Sequence, residues 1–203
     1  KVNKWREGWI HSPKQFDYAS SVLVALFRAT INEGYIASNN CQRLEKLYEA
    51  DRSGIVWAPS DIEKVVSICP DWIRRLLIAA TETGLRIGDL KKLGRNQIEV
   101  TPMGRRIRVR TNKRGVPAYI PVMPRMVEVI DSTPKDRLLI LTNATGHALT
   151  EHRASEGLRQ WRDKAGLDPD TIGYDLRLND ARGTAATRLL RAGLTLAQIA
   201  ACM

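Results

Sequence analysis

The 203-residue chain carries 32 Lys plus Arg against 22 Asp plus Glu, a formal charge of +10 with a pI near 9.9. That balance points to a polyanionic partner, nucleic acid before any other. No apolar run approaches the roughly 18 residues of a membrane span. The first residues, Lys1 to Trp5, hold no apolar signal core.

Cys41, Cys69 and Cys202, like His11, His147 and His152, are scattered. Their spacing fits neither a disulfide framework nor a zinc or helical metal pair, so no metal site is expected. Reduced cysteines suit a cytoplasmic protein. The chain does not begin with Met, so a fragment of a longer protein is expected.

Phe16 to Ile31 has apolar residues at helical spacing and ends at Gly34. A second helix is predicted over Gln42–Ala50. The polar stretch Asp51-Arg52-Ser53-Gly54 then sets a domain boundary, giving residues 1–54 and 55–203. Ser60 to Glu63 reads as a capping box for a helix to Ile68. Pro70 opens a helix over Asp71–Thr83, which Gly84 ends, and Arg86–Leu93 forms another short one. The period then changes to two. Gln97–Val100, Arg106–Arg110 and Ala118–Val122 are predicted strands, with turns at Met103-Gly104 and Lys113-Arg114-Gly115. Helices follow near Pro124–Ile130, Thr150–Ala165, Asp180–Ala192 and Thr195–Met203. The fold class is mainly α with a small antiparallel β-sheet.

Three short stretches carry chemistry. Arg86 follows the helix-ending Gly84 and is flanked by Leu85, Ile87 and Leu90. A guanidinium anchored in this way presents a planar fork to a phosphate, with Asp89 three residues on to orient it. The same residues equally suit an arginine that pairs with Asp89 to hold a helix start. Lys113, at a hairpin tip, can clamp a phosphate or protonate a leaving oxygen, or be merely solvated. Asp180 can cap a helix, and Arg182 lies in its first turn, where the dipole and free amides favour an anion. A buried arginine paired to a carboxylate is the alternative there.

In this order and spacing the stretches resemble the tyrosine recombinases, the family that includes phage and mobile-element integrases. Thr83 to Leu90 resembles the family's first arginine box. Lys113 with Tyr119-Ile120-Pro121-Val122 resembles its hairpin lysine and the next strand. Asn179 to Gly193 resembles its second arginine box. Asp175-Leu176-Arg177 imitates that box, but the spacing from Arg182 to Thr184, Thr187 and Gly193 fits better. The resemblance covers roughly residues 55–203. It implies that residues 1–54 end a helical core-binding domain.

What the resemblance implies is site-specific recombination, the integration or excision of a mobile element. DNA would be cleaved and rejoined through a 3′-phosphotyrosine, with no cofactor. Arg86 and Arg182 would hold the scissile phosphate, Lys113 would protonate the leaving 5′-oxygen, and Asp89 would support. The partners implied are double-stranded DNA attachment sites, a homotetramer on DNA, and a directionality factor or DNA-bending accessory protein. The setting implied is bacterial cytoplasm and nucleoid.

Two departures bear on this. Asn179 stands where the family has a histidine, and an amide donates a hydrogen bond but shuttles no proton. The chain also stops before the family's second His or Trp position and its nucleophilic tyrosine. Tyr18, Tyr35, Tyr48, Tyr119 and Tyr174 all precede Arg182, so these residues are expected to bind DNA without cutting it. The alternative is a non-catalytic DNA-binding module, such as a decayed integrase or a recombination regulator.

Overall fold

The computed structural model describes residues 2–39, 41, 44–49, 51–110 and 117–202. The chain divides into two compact units, residues 1–51 and 52–203.

In the first unit, α1 (Val2–Glu7) and α2 (Pro13–Asn32) pack together. Arg6 is buried, with its Nε donating to Ser20 Oγ at 2.8 Å and its guanidinium over the Phe16 ring. The helix expected over 42–50 does not form across residues 44–49, which have no regular structure. The amides of Leu47 and Tyr48 instead donate to the two carboxylate oxygens of Asp17, each at 3.0 Å. A carboxylate that satisfies two consecutive amides removes the need for a helical ladder there. Those bonds, the Leu47 amide first, hold the Asp17 carboxyl below the usual range.

The second unit is built around α4 (Asp71–Thr83), nearly all of which is buried. Ile73, Leu76, Leu77, Ile78, Ala79 and Ala80 are sealed from solvent on more than one side. That is the pattern of a helix hydrophobic around most of its circumference. Around it pack α3 (Pro59–Ile68), α6 (Pro124–Asp131), α7 (Glu151–Lys164) and α9 (Asp180–Arg191). Helix α3 starts one residue before the expected capping box, at Pro59. Its start is held by the Asp61 carboxylate, which accepts from the Ala58 amide at 3.3 Å. The expected Ser60/Glu63 pair lies already inside the helix and is not its cap.

A charged side chain of α4 itself is buried against this core. Arg75 is only 9% exposed, and its guanidinium donates to the carbonyls of Val129 (2.8 Å) and Ile140 (3.0 Å) and to Ser132 Oγ (2.6 Å). It thereby caps the last turn of α6 from the side. Burial lowers its pKa.

The three strands form an antiparallel meander in the order β1 (Ile98–Thr101), β2 (Gly104–Arg110), β3 (Pro117–Pro121). Ile107 faces Ile98 on one side and Ile120 on the other. Ile107, Val109, Ala118 and Ile120 point inward, while Arg106, Arg108, Arg110 and Tyr119 point out. Arg106 stacks over Tyr119 and pairs with Glu99. The tip between β2 and β3, residues 111–116 with Lys113, lies outside the described residues. The short α5 (Ile87–Leu90) and α8 (Pro169–Ile172) and the final α10 (Leu196–Cys202) complete the unit, with α10 against β3. No helix among the described residues is long and apolar enough to cross a membrane.

Leu77 is fully buried at the middle of α4. Leu77→Ala is expected to cost about 2–5 kcal/mol through lost transfer energy and a cavity. Urea unfolding of the two proteins checks it.

Candidate active site

Helix α4 ends because Gly84 adopts φ +64°, a left-handed conformation that a side chain disfavours. The chain then turns outward. Leu85 and Ile87 stay buried and hold the backbone on the core, while Arg86 between them is extended and exposed. Among the described residues the Arg86 guanidinium makes no hydrogen bond or ion pair. Asp89 is buried on α5, and its amide donates to the Arg86 carbonyl at 2.9 Å. That link between Asp89 and Arg86 runs through the backbone.

The second arginine arrives from α9. Its Nη1 donates to the Gly84 carbonyl at 2.7 Å, across 98 residues of sequence. The acceptor belongs to the glycine that frees Arg86, so one turn positions both arginines. Farther along the same helices, Arg188 pairs with Glu82 at 2.8 Å, and the Glu82 side chain is 11% exposed. Helices α4 and α9 are thus cross-linked twice by side chains.

A cleft of about 500 Å³ results, lined by Leu85–Asp89, Glu151, Leu178, Asn179 and Arg182. Arg86, Asp89, Asn179 and Arg182 therefore share one cavity wall. Glu151, at the first position of α7, is an addition that the sequence did not single out; it pairs with Lys91 at 2.7 Å. Two guanidiniums in one cleft repel each other until an anion lies between them.

The start of α9 differs from expectation. Asn179, not Asp180, is the residue before the first turn, and it is already helical in conformation. The Asp180 carboxylate accepts instead from the Arg177 amide (2.7 Å) and from Arg52 (2.6 Å). The amides of Asp180, Ala181 and Arg182 are taken by the carbonyls of Arg177, Leu178 and Asn179. With those amides occupied, an anion in the cleft is left to the side chains.

The segment before α9 is held by charge. Arg162, 2% exposed, donates to the Leu176 carbonyl (2.6 Å) and pairs with Asp175 and Asp163. Arg177 pairs with Asp175 from outside. Asp175-Leu176-Arg177 lies in a neighbouring groove with His152, Ser155 and Arg159. Asn179 lines that groove as well. Beside it, Arg159 and Gln160 lower the Glu156 carboxyl to about 2.

The family model described as "Phage integrase family" matches residues 56–203. The chain belongs to the phage integrase family. A search of curated proteins finds no match. Among solved structures, a lambda integrase tetramer bound to a Holliday junction is 20% identical with a TM-score of 0.78, over 100% of this chain and 62% of that one. A lambda integrase dimer bound to a COC′ core site is also 20% identical, with a TM-score of 0.72 over 91% of this chain and 55% of that one. The Tn1549 transposon integrase in complex with circular intermediate DNA is 16% identical, with a TM-score of 0.65 over 98% and 75%. At these identities the likeness is one of fold. The chain spans less than two thirds of the first two integrase chains.

Asp175 gives a pH signature. Burial pushes its carboxyl up, but Arg162 and Arg177 outweigh this and hold it below the usual range. A carboxylate with a depressed pKa stabilises the fold above its unfolded value and loses that contribution as pH falls. Unfolding free energy is therefore expected to drop below about pH 4, and Asp175→Asn should flatten that drop. Urea titrations at pH 7 and pH 3 measure both.

Proposed function

We propose that this cleft binds the scissile phosphodiester of duplex DNA, and that the protein acts in site-specific recombination by strand cleavage and rejoining. The observation that carries this reading is the convergence of Arg86 and Arg182 on one cleft, fixed through the Gly84 carbonyl. Guanidiniums held rigidly around a phosphorus stabilise the charge that develops on its equatorial oxygens.

In the reaction a tyrosine oxygen attacks phosphorus and the bond to the 5′-oxygen breaks. A 3′-phosphotyrosine forms, and Lys113 gives its proton to the leaving oxygen. Attack by a 5′-hydroxyl reverses the step, so bond energy is conserved. Asn179 donates a hydrogen bond where a histidine would also move a proton. Asp89, buried three residues on from Arg86, is the supporting residue in this reading. None of the chain's five tyrosines follows Arg182. In this reading the nucleophile is a tyrosine outside these 203 residues, which by themselves bind DNA without cutting it. The partners in this reading are attachment-site DNA, three further subunits on two DNA sites, and a directionality or DNA-bending factor.

Asn179 favours a second reading, a DNA-binding module without catalysis. The two separate in one assay. The chain, joined to its native tyrosine-bearing remainder, is mixed with a nicked suicide substrate carrying the element's junction. A covalent protein–DNA band that disappears with Tyr→Phe is expected. Binding without that band supports the second reading.

Arg86→Ala or Arg182→Ala should each lower cleavage by about 10²–10³-fold, as loss of a charge-stabilising donor does, while DNA binding is largely retained. Cleavage at the normal rate by either variant removes that arginine from the site. Asn179→His should raise the rate if proton transfer limits it, and an unchanged rate shows a site adapted to the amide.

For the 203-residue chain, DNA affinity should fall steeply with salt, about 0.9 decade per decade of salt for each phosphate neutralised. Salt-independent binding in a filter assay contradicts a DNA clamp.

A further inference from the structure

Residues 52–57 form neither helix nor strand, yet both ends of this segment are tied to the part of the chain that carries Asn179 and Arg182. At one end, Arg52 grips the Asp180 carboxylate with two nitrogens, Nε to Oδ1 at 3.2 Å and Nη2 to Oδ2 at 2.6 Å. Its Nη2 also donates to the Asp175 carbonyl. At the other end, the Trp57 amide donates to Thr184 Oγ1 at 2.7 Å, and the indole Nε1 donates to the Arg177 carbonyl at 2.9 Å. Trp57 is 1% exposed, which fixes that end in the core.

Asp180 is the pivot. It is the first residue of α9, its side chain is 7% exposed, and its neighbours in sequence include Asn179. Its Oδ2 is shared between Arg52 and the Arg177 amide. A carboxylate held from two directions fixes both the rotation and the axial position of the helix's first turn. Asn179 and Arg182, three residues apart, lie on one face of that turn and line the cleft, whereas Arg52 and Asp180 do not. Removing Arg52 takes away the bidentate cation of a buried carboxylate. Such a group draws in water or shifts its segment to regain solvation. A displacement of about 1 Å at a phosphate clamp is enough to cost on the order of 10²-fold in function.

We infer that Arg52 is a positioning residue for the cleft: its fork, locked on Asp180, sets the first turn of α9 so that Asn179 and Arg182 meet the phosphate together. The inference rests on reading the cleft as a phosphate site. Arg52 touches no substrate in this arrangement and acts wholly through Asp180.

The test uses the 203-residue chain labelled with ¹⁵N and titrated with orthovanadate, a phosphate mimic. The Asn179 side-chain amide and Arg182 Nε–H report binding. Hydrogen exchange at the Arg177 amide reports whether the Asp180 carboxylate is in place. Arg52→Ala should speed that exchange and weaken vanadate binding at least about 10-fold, the scale seen when a supporting partner of a bound site is lost. Arg52→Lys, which keeps the charge without the fork, should recover only part of the affinity. Methylguanidinium added to Arg52→Ala should slow the Arg177 exchange again. The double variant Arg52→Ala/Asp180→Asn should bind no worse than Arg52→Ala, because the two residues act as one unit.

A role confined to stability lowers the melting temperature while leaving vanadate affinity, measured well below it, unchanged. That result overturns the inference, as does an Arg177 amide that exchanges in Arg52→Ala as in the parent. Should Arg52→Ala fail to fold, Arg52→Lys and Asp180→Asn carry the same comparison. If the parent chain shows no vanadate response at Asn179 or Arg182, the phosphate reading fails instead. Arg177 exchange then decides alone whether Arg52 holds α9.

Discussion

A backbone carbonyl left over at the end of a helix needs a donor, and in this protein the donor is Arg182. The bond from its guanidinium to Gly84 joins stretches 98 residues apart. It satisfies the carbonyl at the turn where the chain leaves α4, and it holds one nitrogen of Arg182 so that the rest of the fork has a defined direction. Because Gly84 also starts the excursion that exposes Arg86, the two arginines share an origin. An error in that turn moves both together, so their spacing survives small distortions of the scaffold.

The surrounding electrostatics separate cations by function. Arg52, Arg75, Arg162 and Arg188 spend their donors on protein carbonyls and carboxylates. Arg86 does not, among the described residues, and it faces the cleft. The Arg86 guanidinium is thereby presented to the cleft, beside Arg182 and the carboxylates of Asp89 and Glu151. The outward row Arg106, Arg108 and Arg110 on β2 adds a second basic surface, moderated by Glu99.

Much of this was legible in the sequence because the signals were local. The αL glycine after Thr83, the period-two stretch from 98 to 121 and the apolar spacing of α9 each depend on neighbours within a few residues. The arginine boxes were legible as a combination, since each alone had an ordinary structural explanation. What failed was long-range. The segment from 44 to 49 reads as a helix until Asp17, about thirty residues away, takes two of its amides. Asp180 reads as a cap until Arg52 claims its carboxylate. Arg52 itself sits in a polar run that looks like solvated linker, and no local feature distinguishes a solvated arginine from one bound 128 residues away. Glu151 escaped notice for the same reason: an acid at a helix start is ordinary, and only packing brings it to the cleft.

The buried Arg75 has a consequence for how the second unit assembles. Its acceptors come from α6, from the turn after it and from Ile140, all more than fifty residues farther along the chain. Until those groups arrive, α4 cannot be covered without stranding a cation in an apolar interior, which is costly. Partly collapsed states that bury α4 alone are therefore raised in energy relative to both the open chain and the finished fold. The central helix carries within it a guard against premature closure, and the unit is driven toward all-or-none folding, with the α4–α6 contact and the Ile140 segment arriving together.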